Sequence, residues 1–140
     1  MAIVQPDPKL RVEKAFVALV GDCAELTTTT IVCGSDRQTN VDPPYIMCWA
    51  ESVETRSLDF IIVKMQVVLV TNIDDTTNAA RMAEAGRLFE HLHTGRLYET
   101  NDVRILGWSR PIPREASSGQ ETGDSLILYA GVQLATWTEP

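Results

Sequence analysis

The 140 residues are 44% apolar and 22% charged, with a formal net charge of −7 and a pI near 4.7. That acidic balance argues against a free-standing nucleic-acid binder, which carries a basic footprint, and against docking on an anionic membrane. It leaves room for DNA to pass close by without sticking.

A chain of this size is expected to form one domain, 1–140, that buries a core without staples. Residues 1–7 are expected to be a short flexible lead. The three cysteines, Cys23, Cys33 and Cys48, are odd in number and show no C-x-x-C spacing. They predict neither a disulfide framework nor a zinc site, and fit a reducing cytoplasm. "MAIVQPDPKL" has no basic stretch followed by an apolar run, so no secretory signal is expected. The apolar run near 60–70 is too short to cross a bilayer as a helix.

After Pro6 and Pro8, "PKLRVEKAFVALVGDC" predicts a helix. Val12, Ala15, Phe16, Leu19, Val20 and Cys23 fall at three- and four-residue steps. Asp7 is a candidate N-cap with Pro8 in the first helical position. "LTTTTIVCG" reads as a short strand, "SDRQTNVDPP" as a loop, and "YIMCWAESVE" as a strand. "LDFIIVKMQVVLVTN", residues 58–72, predicts an unusually long strand. One face, Ile61, Val63, Met65, Val67 and Leu69, is wholly apolar. The other, Phe60, Ile62, Lys64, Gln66, Val68 and Val70, is apolar at both ends and polar in the middle. It is too polar for a fully buried strand and too apolar for a wet one.

"NIDDTTNAARMAEAGRLFEHLHTG" predicts a second helix, with capping candidates at Asp74, Asp75, Thr76 and Thr77. Its expected stripe is Ala79, Met82, Ala83, Gly86, Phe89 and Leu92; small residues would let it lie close on a sheet. Gly95 is a natural stop. "DVRILGWSRPIP" reads as a strand ending at Pro111 and Pro113, and "REASSGQETGD" as a polar loop. "SLILYAGVQLATWT" is a second long strand, with Leu126, Leu128, Ala130, Val132 and Leu134 on one face. Its other face mixes Ser125, Ile127, Tyr129, Gly131, Gln133 and Trp137. With one helix between strands, the expected class is α+β: a mostly antiparallel sheet with two helices packed on one face.

No residue pattern commits to catalysis. His91 and His93 are two apart, so on a helix they point to different sides and do not chelate. Asp74 and Asp75 are explained by capping. The glycines form no phosphate loop, and the cysteines fit small buried positions. Trp49, Trp108 and Trp137 could pack in the core or anchor an interface. Arg104 and Arg110 flank Trp108, as a cation–π arrangement or a solvated edge. The expectation is no enzyme, no metal and no cofactor.

The layout as a whole resembles a family. A helix "KLRVEKAFVALVGD" is followed by "PPYIMCWAESVE". The long "LDFIIVKMQVVLVTN" then runs directly into "DDTTNAARMAEAGRLFEHL". "DVRILGWSRPIPRE", a polar loop and "SLILYAGVQLATWT" close the chain. This is similar to the tail-terminator, or tail-completion, proteins of tailed double-stranded DNA bacteriophages, and to related neck proteins. The resemblance implies a virion protein assembled in the host cytoplasm, forming a ring, commonly a homohexamer. Such a ring caps the tail tube at its head-proximal end and joins it to the head–tail connector, with DNA passing through the lumen. Six copies would carry a charge of about −42, which disfavours sticking to DNA.

On this reading the mixed strand faces meet neighbouring subunits or the channel. The candidates are Phe60, Ile62, Lys64, Gln66, Val68, Tyr129, Gln133 and Trp137. Loops at 34–43 and 113–124 would dock the tube or connector through Asp36, Arg37, Arg114, Glu115, Glu121 and Asp124. A tail-tube or baseplate subunit is the second reading. The third is a small α+β enzyme or ligand-binding domain, for which Lys64, Gln66, Tyr129 and Gln133 are the only polar candidates.

Overall fold

The structure is a computed structural model that describes residues 8–35, 44–57, 59–72, 78–100, 103–118 and 121–134. Helix α1 (Pro8–Gly21) leads into β1 (Ile31–Cys33), β2 (Tyr45–Thr55) and β3 (Phe60–Asn72). Helix α2 (Asn78–Leu92) follows, then β4 (Tyr98–Glu99), β5 (Val103–Trp108), β6 (Ile112–Ser118) and β7 (Glu121–Leu134). The class is α+β. The seven-stranded sheet runs β1-β2-β3-β7-β5-β4, with β6 also on β7. Every pairing is antiparallel except β1 with β2.

The two long strands are its centre. β3 has 13 residues, about 43 Å at 3.3 Å each, and pairs with β7 without a break from Phe60↔Gln133 to Asn72↔Glu121. Their apolar faces meet in register: Val63 lies opposite Ala130, Met65 opposite Leu128, and Val67 opposite Leu126. All six are buried. Phe16 and Leu19 of α1 and Leu88 and Leu92 of α2 join them in one cluster. Each fully buried Leu or Phe stabilises by roughly 1.5–3 kcal/mol. Phe16 meets Trp108 edge-on, ring centroids 6.0 Å apart.

The segment expected as a loop at 113–124 is instead the β6–β7 hairpin. β6 starts at Ile112, and β7 starts at Glu121, four residues before the expected "SLIL". Polar composition suggested a loop, but the backbone there is paired: Ser125 opposes both Val68 and Arg114. Pro113 therefore begins a strand rather than ending one. It is tolerated because β6 pairs on one side only, with β7. β5 and β6 lie end to end along one edge of β7.

The four-threonine run is not strand either; only Ile31–Cys33 is. Thr27 and Thr28 bind Glu84 of α2 instead of a neighbouring strand. Both Thr27 N–H and Thr28 N–H donate to Glu84 Oε2 (3.0 and 2.7 Å), and so do both hydroxyls (2.7 Å each). Burial pushes that carboxyl up, but the Thr28 and Thr27 hydrogen bonds outweigh it and hold it at about 2.

This anchor also rotates α2 from its expected setting. Glu84, Leu88 and Leu92 are buried, whereas Ala79, Met82, Ala83 and Gly86 are exposed. A stripe of small residues gains little from burial, so polar anchors and two leucines decide which side faces in. His91 Nε2 donates to the Leu19 carbonyl (2.8 Å) and ties α2 to α1. Gly95 lies so close to the Trp108 backbone that a Cβ there would overlap it. The expected caps Asp74, Asp75, Thr76 and Thr77 lie outside the described residues.

A second buried carboxylate, Glu13 on α1, was not expected. It is fully buried and accepts from Ser35 N–H (2.9 Å), Ser35 Oγ (2.8 Å) and Ala50 N–H (2.9 Å). Ala50 adjoins a β-bulge between Ala50 and Ser52. The carboxylate satisfies an amide that the interrupted ladder leaves over. The only sequence signal is a Glu beside Val12 and Phe16 within the apolar stripe.

Candidate functional site: the second face of the sheet

Because side chains alternate, burying Ile61 to Leu69 turns Phe60 to Val70 to the other side of the sheet. Register then decides what they meet. Lys64 lies between Ser52 and Tyr129, Gln66 between Trp49 and Ile127, and Val68 between Met47 and Ser125. Ile62 lies between Glu54 and Gly131. Phe60 lies opposite Gln133, and its ring passes about 3.4 Å from where a Gly131 Cβ would stand, so the missing side chain gives the ring its place.

Polar groups hold the centre. Glu51, in the bulge of β2, accepts from Gln66 Nε2 (2.9 Å) and pairs with Lys64 Nζ (3.2 Å). These contacts, Gln66 first and then Lys64, hold the Glu51 carboxyl below its ordinary range, and Arg114 adds to the effect. Lys64 and Glu51 remain 30% and 32% exposed. Sequence reasoning had placed Lys64 and Gln66 together but missed Glu51, because strict alternation ignores a bulge.

Apolar groups surround that centre and stay in solvent. Trp49 (36%), Leu106 (47%), Tyr129 (48%) and Ile112 (54%) are exposed. Register puts Trp49, Tyr129 and Ile112 on this side, and Leu106 is in the bulge of β5. Phe60, Ile62 and Val68 are half-buried. Val70 needs no neighbour to cover it: it is 8% exposed within the chain, as Tyr45 (5%) and Ile127 (4%) are on the same face.

The other candidates scatter. Arg114 is exposed on β6, opposite Ser125. Asp124 lies on the opposite side of β7 and is held by Arg81 Nη1 (2.7 and 2.8 Å). Glu115 and Glu121 have paired backbones in β6 and β7, and their side chains lie outside the described residues, as do Asp36, Arg37 and Trp137. Gln133 Nε2 donates to Asp59 (3.3 Å) at the far end.

Trp108 is a core residue, 8% exposed, donating through Nε1 to the Leu92 carbonyl (2.9 Å). Its cation–π partner is Arg96, 5.5 Å from the ring centroid, rather than Arg104 or Arg110. The bulge between Ile105 and Gly107 breaks the alternation, so Arg104 points away and pairs with Glu99 (3.2 Å). Cys48 is fully buried, in register with Cys33, and burial raises its thiol far above the ordinary range. Among the described residues, no three His, Cys, Asp or Glu side chains group as metal ligands, and no helix is long and apolar enough to cross a membrane.

No protein-family model and no curated protein matches the sequence. Among solved structures, one chain from the "Virion of native gene transfer agent (GTA) particle" is similar at a TM-score of 0.51 and 18% identity. The match covers 89% of this chain and 88% of that one. At that identity the likeness is one of fold, and it extends over nearly the whole of both chains.

Proposed function

We propose that this chain is a structural virion protein of a tailed phage or phage-like particle. It assembles as a ring, a homohexamer by resemblance, at the head-proximal end of the tail. There it stops growth of the tail tube and joins it to the head–tail connector, and DNA passes through the lumen. Both helices pack on one face of the sheet and leave the other to neighbouring subunits. The observation that carries the reading is that second face. Exposed Trp49, Ile112 and Tyr129 surround a Lys64–Glu51 pair that is about one-third exposed. Interfaces favour aromatic anchors of this kind, and the central charges here are paired with each other. The face is about four strands wide and about 40 Å long. The likeness of fold to a chain of a gene transfer agent virion supports the setting.

Native mass spectrometry of the purified chain tests the ring: a closed oligomer of fixed number is expected. Open polymers would instead indicate a tube subunit, and a persistent monomer at high concentration would refute self-assembly. Particles assembled without the protein should have tails of uncontrolled length or tails detached from heads. Normal particles would refute termination.

A further inference from the structure

Cysteine count and spacing point to no bridge, yet the fold brings two of the three cysteines together. Cys33 ends β1, Cys48 lies in β2, and the parallel ladder sets them directly opposite each other. Paired strands lie about 4.8 Å apart, inside the range of about 4.4–6.8 Å between the Cα atoms of a disulfide. Directly opposed positions share a face of the sheet, so both side chains point to the side on which Cys48 is buried. Neither thiol is in a disulfide. The register is pinned around the pair. Gly34 N–H donates to the Cys48 carbonyl (2.8 Å). Two residues beyond each cysteine, Ser35 N–H and Ala50 N–H donate to one carboxylate, that of Glu13 (2.9 Å each). The thiols also act on each other: after burial, Cys33 is the next cause of the raised Cys48 thiol.

We propose that Cys33 and Cys48 are a dithiol modification site, closed to a disulfide by a small disulfide oxidant such as oxidised glutathione, and that the bond braces β1 on β2. Cys33 reacts first, because it is half-buried whereas Cys48 is fully buried. Its thiolate attacks one sulfur of the oxidant, forms a mixed disulfide and releases one glutathione, which takes up the Cys33 proton. The Cys48 thiolate then attacks the Cys33 sulfur and expels the second glutathione, which takes up the Cys48 proton. Two protein thiols are oxidised by two electrons, and one disulfide is reduced to two thiols. A disulfide holds its Cβ atoms about 3.5–4.5 Å apart, slightly nearer than the strand spacing, so the strands draw together by less than about 1 Å. β1 can supply that shift. It is three residues long and, among the described residues, pairs with β2 alone. The brace reaches the second face, because Gly34 lies so close to Trp49 that a Cβ there would overlap its side chain. The site rests on the fold and not on the ring reading. That reading adds only when the oxidant is met, after a particle assembled in a reducing cytoplasm leaves it.

The test is oxidation of the folded full chain with oxidised glutathione at neutral pH, followed by denaturation, alkylation of the remaining thiols and peptide mapping by mass spectrometry. The chain is expected to lose the mass of two hydrogen atoms, to link the peptides that carry Cys33 and Cys48, and to alkylate at Cys23 only. Cys23→Ser should form the same bond, and Cys33→Ser should form none. Circular dichroism checks that Cys33→Ser is folded, and Cys48→Ala serves in its place if it is not. Residues 33 and 48 are 15 positions apart. Closing a loop of that size should raise the melting temperature by about 5–10 °C, a gain that dithiothreitol reverses and Cys33→Ser lacks. No internal bond, glutathione retained on Cys33, a bond to Cys23, or a Cys33–Cys48 bond that forms only in urea would overturn the proposal. An unchanged or lower melting temperature of the bonded chain would overturn the bracing of β1. Native mass spectrometry separates this site from the ring: a chain that forms the bond yet stays monomeric upholds the site and refutes the ring.

Discussion

Replacing Glu84 with Gln is expected to remove most of what ties α2 to the Thr27–Thr28 segment, and to do so in a pH-dependent way. In the folded chain the Glu84 carboxyl is held at about 2, against an ordinary value of 4.5. The residue is only 5% exposed, so solvent screens the effect little. At about 1.36 kcal/mol per unit, the depression corresponds to about 3 kcal/mol of stability. The folded value lies below the unfolded one. The contribution is therefore complete above about pH 4.5 and is lost as pH falls toward 2. Glutamine offers one acceptor oxygen to five donors, the four threonine groups and Arg87 Nη1 (3.2 Å), and does not titrate. Urea unfolding of both chains, followed by tryptophan fluorescence from pH 7 to pH 2, should show a stability difference of about 3 kcal/mol that shrinks toward zero at the acid end. A difference that stays constant across that range would refute the reasoning, because it would mean the ionised form of Glu84 is not what the threonines select.

Three further outcomes are expected. Lys64→Glu places a second carboxylate against Glu51 on a surface about one-third exposed. Monomer stability should change by about 1 kcal/mol or less while assembly is lost, measured by chemical denaturation and native mass spectrometry. Unfolding of the monomer would show that this face belongs to the core. Leu88→Ala, at a site 1% exposed, should cost about 2–5 kcal/mol by urea denaturation. Gly95→Ala would drive a Cβ into the Trp108 backbone and should cost about 1–3 kcal/mol, seen as a lower melting temperature.

The sequence by itself determined the elements whose side chains must choose sides. Alternation in β3 and β7 gave the buried faces, and the stripe Val12, Ala15, Phe16, Leu19 and Val20 gave the inward side of α1. Nearly all of these are large apolar side chains that gain strongly from burial, so local pattern and final packing agree. The second face of β3 was legible too, as a mixed surface with Lys64 and Gln66 at its centre. Where that pattern is weak or broken, only the tertiary structure decided. The small-residue stripe of α2 could not fix its rotation, because Ala and Gly gain little from burial. Glu84 and Glu13 became buried anchors only because amides and hydroxyls 37 and 57 residues distant in sequence, or 22, were brought to them. Composition took 113–124 for a loop because polar residues pair in a ladder as readily as apolar ones once a neighbouring edge is supplied, β7 for 113–118 and β3 for 121–124. The bulges at Ala50/Ser52 and Ile105/Gly107 moved Glu51 into the site and Arg104 away from Trp108. A period of two has no means of foreseeing an inserted residue.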